Sequence, residues 1–164
     1  MIIDTLEDLY IEQLNDVYSA NNQALAIVKE LVLAASDHKL TGALATGGGG
    51  LEFGVSSIEE IAKGHDETLD ATCCEAMERL VRITHADALN REFGENATRD
   101  AMIIIQYQRL AHYVIAGIGC LAAFADRLEL DRDLEALNNC LAAFSRGDRA
   151  MTDLARGRVE RVSR

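Results

Sequence analysis

Apolar residues recur at helical spacing from the first turns of the chain. Leu6, Leu9, Leu14, Val17, Leu25, Val28 and Leu31 fall on one stripe, and the polar Asn21 shares it. Thr5 and Asp8 form a Thr-x-x-Asp start, a capping box with Asp in the place of Glu, and Ser36-Asp37 supplies a stop and a new cap. Beyond it, Leu40, Leu44, Leu51, Val55, Ile58 and Ile61 recur at steps of three, four and once seven. The long step, Leu44 to Leu51, crosses Gly47-Gly48-Gly49-Gly50 without a slip of phase. A glycine loop is the ordinary reading of such a run, but a loop has no reason to preserve helical phase. The pattern therefore predicts one helix over residues 38 to 63. Its four glycines cost about 3–4 kcal/mol of helix propensity relative to alanine, so neighbouring helices must hold it.

Residues 64 to 95 are less regular, with a short helix expected around Cys74 to Val81. That length suits a crossover that returns the chain to the other end of a bundle. A long helix follows from about Thr98 to Arg127, and its stretch from Leu110 to Ala125 is apolar almost all round. The stretch falls short of the roughly 20 residues of a membrane span. It reads instead as a doubly buried helix, with one face on the core and one on a second subunit. The last helix is expected from about Asp131 to Ala155, with Leu134, Leu137, Leu141, Phe144, Met151 and Leu154 inward and a frayed, arginine-rich tail over residues 156 to 164.

Four long helices and a crossover in 164 residues predict an all-α fold, a single four-helix-bundle domain spanning 1-164. Composition agrees: 49% of residues are hydrophobic but only 5% aromatic, which suits helices packed closely on small side chains. A net charge of −11 argues against a nucleic-acid partner and against an anionic membrane face. The over-apolar third long helix predicts a homodimer. Cys73, Cys74, Cys120 and Cys140 lack zinc-site spacing, and Cys120 and Cys140 read as packed core thiols. Met1-Ile2-Ile3-Asp4 has neither a basic start nor a sufficient apolar run for a signal peptide, so a cytoplasmic location is expected.

Bundles of this kind often hold two metal ions between Glu side chains and Glu-x-x-His pairs. The opening LEDLYIEQLNDVYSANNQAL, the middle CCEAMERL and the stretch AMIIIQYQRLAHYVIAGIGCLAAFA resemble the YciE/YciF-like branch of the ferritin-like superfamily, small bacterial proteins associated with stress responses. The resemblance implies acidic residues inside the bundle, and the chain departs from it there. Asn21 stands where the family has Glu, Gly47 to Gly54 where it has a His- and Glu-rich stretch, Ala111-His112-Tyr113-Val114 where it has an acid-His-Tyr-acid pattern, and Ala142-Ala143-Phe144 where it has a Glu-rich turn. The glycines accordingly lie where ligands would project, and Tyr107, Tyr113 or Phe53 are expected to fill part of the emptied centre.

Glu12, Glu52 and His112, with Asp148, remain as residual metal candidates, and no Glu-x-x-His pair occurs. Each has a plainer reading: Glu12 on a solvated face, His112 as a core or interface histidine, Asp148 in ion pairs with Arg146 and Arg149. The expectation is a protein with no metal and no cofactor, acting as a non-enzymatic structural or interaction protein. The alternative is an iron or manganese oxidase, or a peroxide-handling protein, built on Glu12, Glu52 and His112. A small apolar ligand in the emptied core is a third expectation.

Overall fold

A computed structural model describes residues 3–162, with side chains through 157. Helix α1 spans Leu6–Ala34, α2 His38–Gly64, α3 Glu75–Thr84, α4 Asn96–Arg127 and α5 Asp131–Val162. Among the described residues there is no strand, and the all-α reading holds. The Thr5 capping box is formed: its hydroxyl accepts from the Asp8 N–H at 3.1 Å, and the Asp8 carboxylate accepts from the Thr5 N–H at 2.9 Å. Asp37 caps α2 by accepting from the Leu40 N–H at 2.9 Å. The glycine run is helical throughout, as its unbroken phase requires. Helix α5 continues to Val162 where fraying was expected after Ala155, while Ser163 and Arg164 lie outside the described residues.

Helix α1 packs beside α2 and α4, and α5 beside the same two, so α1 and α5 occupy opposite corners of the bundle. Neighbours run antiparallel. Gly54 of α2 lies at Asn21 and Gly48 at Val28, while Asp100 near the start of α4 reaches back to Ser36. Segment 65–95 crosses the length of the bundle, with α3 lying on α1 and α4. A π-helical turn, His85–Leu89, continues α3 and is tied to α4 by Gln106, whose amide donates to Asp87 at 3.2 Å.

Most of the expected stripe is buried, Leu14, Val17, Val28 and Leu31 on α1, Leu40, Leu44, Leu51, Ile58 and Ile61 on α2, Leu137, Phe144 and Met151 on α5, while Leu6, Leu9, Leu25, Val55, Leu134, Leu141 and Leu154 are half-buried at its edges. By length and composition α4 could cross a membrane, but within the bundle it carries a buried Asp100 and Gln106 among its apolar residues. The Asp100 carboxylate accepts from the Ser36 N–H at 2.9 Å, the Ser36 hydroxyl at 2.7 Å and the Asp37 N–H at 3.0 Å, clamping α4 to the α1–α2 turn.

Candidate functional site

The residues at the positions where the resemblance implies ligands are stacked in the middle of the bundle. Asn21 of α1 is fully buried, and neither its amide nitrogen nor its oxygen has a hydrogen-bond partner. It rests in the space left by Gly54 of α2, where a Cβ would overlap its amide nitrogen and stand 3.2 Å from the Phe144 ring of α5. Asp100 at Ser36 and Gly117 at Val17 set the α1–α4 register, which brings the buried Val114 level with Asn21. One layer thus consists of Asn, Gly, Val and Phe.

A second layer lies nearer the α1–α2 turn. Tyr107 of α4 reaches diagonally between α2 and α5, and a Cβ at Gly47 would overlap its hydroxyl. A Cβ at Gly147 would stand 3.1 Å from the same oxygen and 3.4 Å from the Gly47 Cα, so the two helices meet backbone to backbone there. Burial, reinforced by the negative Asp148, pushes the Tyr107 phenol up to about 12. Two aromatic rings therefore occupy what the glycines leave.

Phe53, expected to share that role, is instead 46% exposed. Helical phase explains it, because Gly54 takes the inward position and Phe53 falls one step round. Tyr113 is half-buried and points toward the crossover, where its hydroxyl meets the Cys74 thiol at 3.4 Å.

The residual candidates lie apart from these layers. Glu12 is exposed on α1, as a solvated face predicts. Glu52 is exposed and pairs with Lys29 at 3.4 Å. His112 is an exposed residue and not a core one: its imidazole meets Asp148 at 2.7 Å across the α4–α5 seam. That contact also corrects the expectation that Asp148 pairs along its own helix with Arg146 and Arg149. Among the described residues, no three His, Cys, Asp or Glu side chains are placed to hold a metal ion together.

The thiols divide by depth. Cys74 and Cys140 are buried, whereas Cys120, expected in the core, is exposed on α4. Burial pushes the Cys74 and Cys140 thiols up, partly countered at Cys74 by the Tyr113 hydroxyl and at Cys140 by Ser57. The adjacent Cys73 is exposed but is likewise raised, by partial desolvation first and by the negative Asp16 and Asp70. None of the three is activated as a thiolate nucleophile.

One polar cluster escaped the sequence reading. At the far end of the bundle, Asp133 near the start of α5 accepts from the Tyr10 hydroxyl at 2.8 Å and meets the His65 ring nitrogen at 2.7 Å. The Tyr10 and His65 rings stand edge to face, 5.8 Å apart. Burial and the adjacent carboxylate raise the Tyr10 phenol far above its ordinary value. The cluster joins the ends of α2 and α5 to α1. Tyr10 and Asp133 are 123 residues apart, and no spacing motif connects them.

The family model of a domain of unknown function, DUF892, matches residues 5–163. Protein YciF of Escherichia coli strain K12 is 29% identical over 162 residues, covering 98% of this chain and 96% of the relative. The crystal structure of that E. coli stress protein superposes with a TM-score of 0.86 over 96% of this chain and 99% of the other. YcfI of Rhodopseudomonas palustris, for which a structural role has been put forward, shares the fold at a TM-score of 0.84 and 23% identity, over 92% of this chain and 94% of its own.

Proposed function

Because the chain belongs to the DUF892 family and is similar end to end to a bacterial stress protein, we propose that it is a stress-associated bundle without a di-metal centre, acting as a non-enzymatic structural or interaction protein. One observation carries this reading. Where the resemblance puts ligands, the bundle holds Asn21, Gly54, Val114 and Phe144. A pair of divalent ions needs several anionic oxygens, and this layer offers one neutral amide and three groups with no donor atom in the side chain. The residues do not fit a pair of divalent ions. Absence of acids from this layer also avoids several kcal/mol of uncompensated charge per residue.

On this reading the protein is a cytoplasmic homodimer with neither nucleic acid nor membrane as partner, which its net charge of −11 supports. Tyr107 and Phe144 occupy the glycine layers where a small apolar ligand would sit, and open grooves lie on the outer faces of α2 instead.

Metal content decides between this reading and an oxidase or peroxide-handling protein. Untagged protein grown with added iron and manganese is expected to carry well below one equivalent of either by mass spectrometry. Near-stoichiometric metal would overturn the reading, and loss of that metal on mutating Glu12, Glu52 or His112 would locate the site.

A further inference from the structure

Helices α2 and α4 stop in the same way. After α2 the Glu67 N–H bonds to the Ala62 carbonyl at 3.0 Å and the Asp66 N–H to the Lys63 carbonyl at 3.3 Å. After α4 the Leu130 N–H bonds to the Ala125 carbonyl at 2.9 Å and the Glu129 N–H to the Asp126 carbonyl at 3.2 Å. A closure of this kind needs one left-handed residue, ordinarily glycine. Asp66 and Glu129 take that place here, both at φ 57°. A Cβ is disfavoured in that conformation, so each turn persists only because its surroundings hold it. His65 immediately precedes one strained residue, and Asp133, in the first turn of α5, follows four residues after the other.

Those two side chains meet in the cluster with Tyr10, and both contacts fall on one oxygen. Asp133 Oδ2 accepts from the Tyr10 hydroxyl and meets His65 Nε2, with the His65 and Asp133 side chains 18% and 14% exposed. A carboxylate only accepts, so His65 Nε2 donates whether the ring is neutral or charged. The Tyr10 phenol, raised by burial and by Asp133, is a donor throughout the acid and neutral range. Asp133 at the start of α5 and His65 at the end of α2 stand where the helix dipoles favour an anion and a cation respectively. Among the described residues, no other charged side chain of α1, α2, α4 or α5 hydrogen-bonds or pairs with the three. Lys63, Asp66, Glu67, Glu129, Asp131 and Arg132 alongside are exposed, and water screens them.

We propose that Tyr10, His65 and Asp133 form an acid-released latch, which holds the ends of α2 and α5 on α1 at neutral pH and lets them open when Asp133 takes up a proton. Protonation turns two charge-assisted hydrogen bonds into ordinary ones. It also leaves the imidazolium of His65 without a counter-charge, in a place open to water over less than a fifth of its surface. The strained turns at Asp66 and Glu129 then relax outward. Leu130 and Leu134, which pack against the core while the latch is closed, come within reach of a partner. The stability of this end is therefore present at neutral pH and lost as pH falls. The latch concerns one end of the bundle only and is independent of whether the middle holds metal.

Amide exchange of the full chain, read by mass spectrometry and corrected for the intrinsic effect of pH, tests it. From pH 7 into the ordinary carboxylate range near pH 4, protection in the first two turns of α5 and the last turn of α2 should fall by about tenfold or more, ahead of the middle of α1. His65→Gln keeps a donor that never charges, so it should stay protected at pH 7 and lose most of that acid response. Its exchange at Ser36 and Asp37, which Asp100 holds through neutral donors, should match the wild type. Asp133→Asn should be less protected at pH 7 and show little further response to acid. Equal protection of the wild-type ends at both pH values would overturn the proposal, and so would an acid response that His65→Gln leaves unchanged.

Discussion

A methyl group added at Gly47 would overlap the Tyr107 hydroxyl, whereas one added at Gly48 would rest 3.7 Å from the Val28 Cγ1, an ordinary contact. Neighbouring glycines should therefore respond with opposite sign. Gly47→Ala is expected to destabilise the fold by about 1–3 kcal/mol, because displacing a buried ring outweighs the gain in helix propensity. Gly48→Ala should stabilise it by up to about 1 kcal/mol, the propensity gain alone. Urea unfolding curves with unchanged slope would measure both. The sequence placed Asn21 on the inward stripe correctly, because one helical period decides that. It could not show that the Asn21 amide nestles against Gly54, a contact between two helices. The contact of His112 with Asp148 was hidden for the same reason, since Asp148 belongs to another helix.

Helix boundaries were largely legible. The Thr5 capping box, the Ser36-Asp37 junction and the unbroken phase across four glycines all depend on residues within a turn or two of each other. The interruption at residues 64 to 95 was visible as lost periodicity, although the π-helical turn at His85–Leu89 carried no signal of its own. What holds one element to the next was less visible. The α1–α2 turn contributes two N–H groups and a hydroxyl, and Asp100 accepts all three from the first turns of α4. Asp100→Ala should cost on the order of 3 kcal/mol, since it strips charge-assisted hydrogen bonds from buried donors. Amide exchange should quicken at Ser36 and Asp37 before it does in the middle of α1, and uniform exchange along α1 would contradict the clamp.

All four tyrosines, Tyr10, Tyr18, Tyr107 and Tyr113, have phenols raised above their ordinary value, desolvation being the first cause at each. A phenol is neutral while protonated, so a raised folded value stabilises the fold below the unfolded value near 10. That contribution disappears as pH climbs through the folded value. Tyr107, at about 12, contributes about 3 kcal/mol that is lost between pH 10 and 12. The molecule should accordingly unfold in mild alkali. Tyr107→Phe should make the fall of melting temperature above pH 10 shallower, and an unchanged slope would show that Tyr107 ionises without strain.

The sequence by itself determined the helices, their inward faces and the crossover, because each follows from a period of 3.6 residues read over a few turns. It also displayed which residue types are missing from the centre, and the resemblance to a ferritin-like family made their absence meaningful. Only the tertiary structure decided that Tyr107 and Phe144 fill the glycine layers, that Phe53 faces out, and that Tyr10, His65 and Asp133 meet. Those outcomes depend on the register and rotation of one helix against another. Register is set by many small contacts summed along a whole interface, and no short stretch of sequence records it.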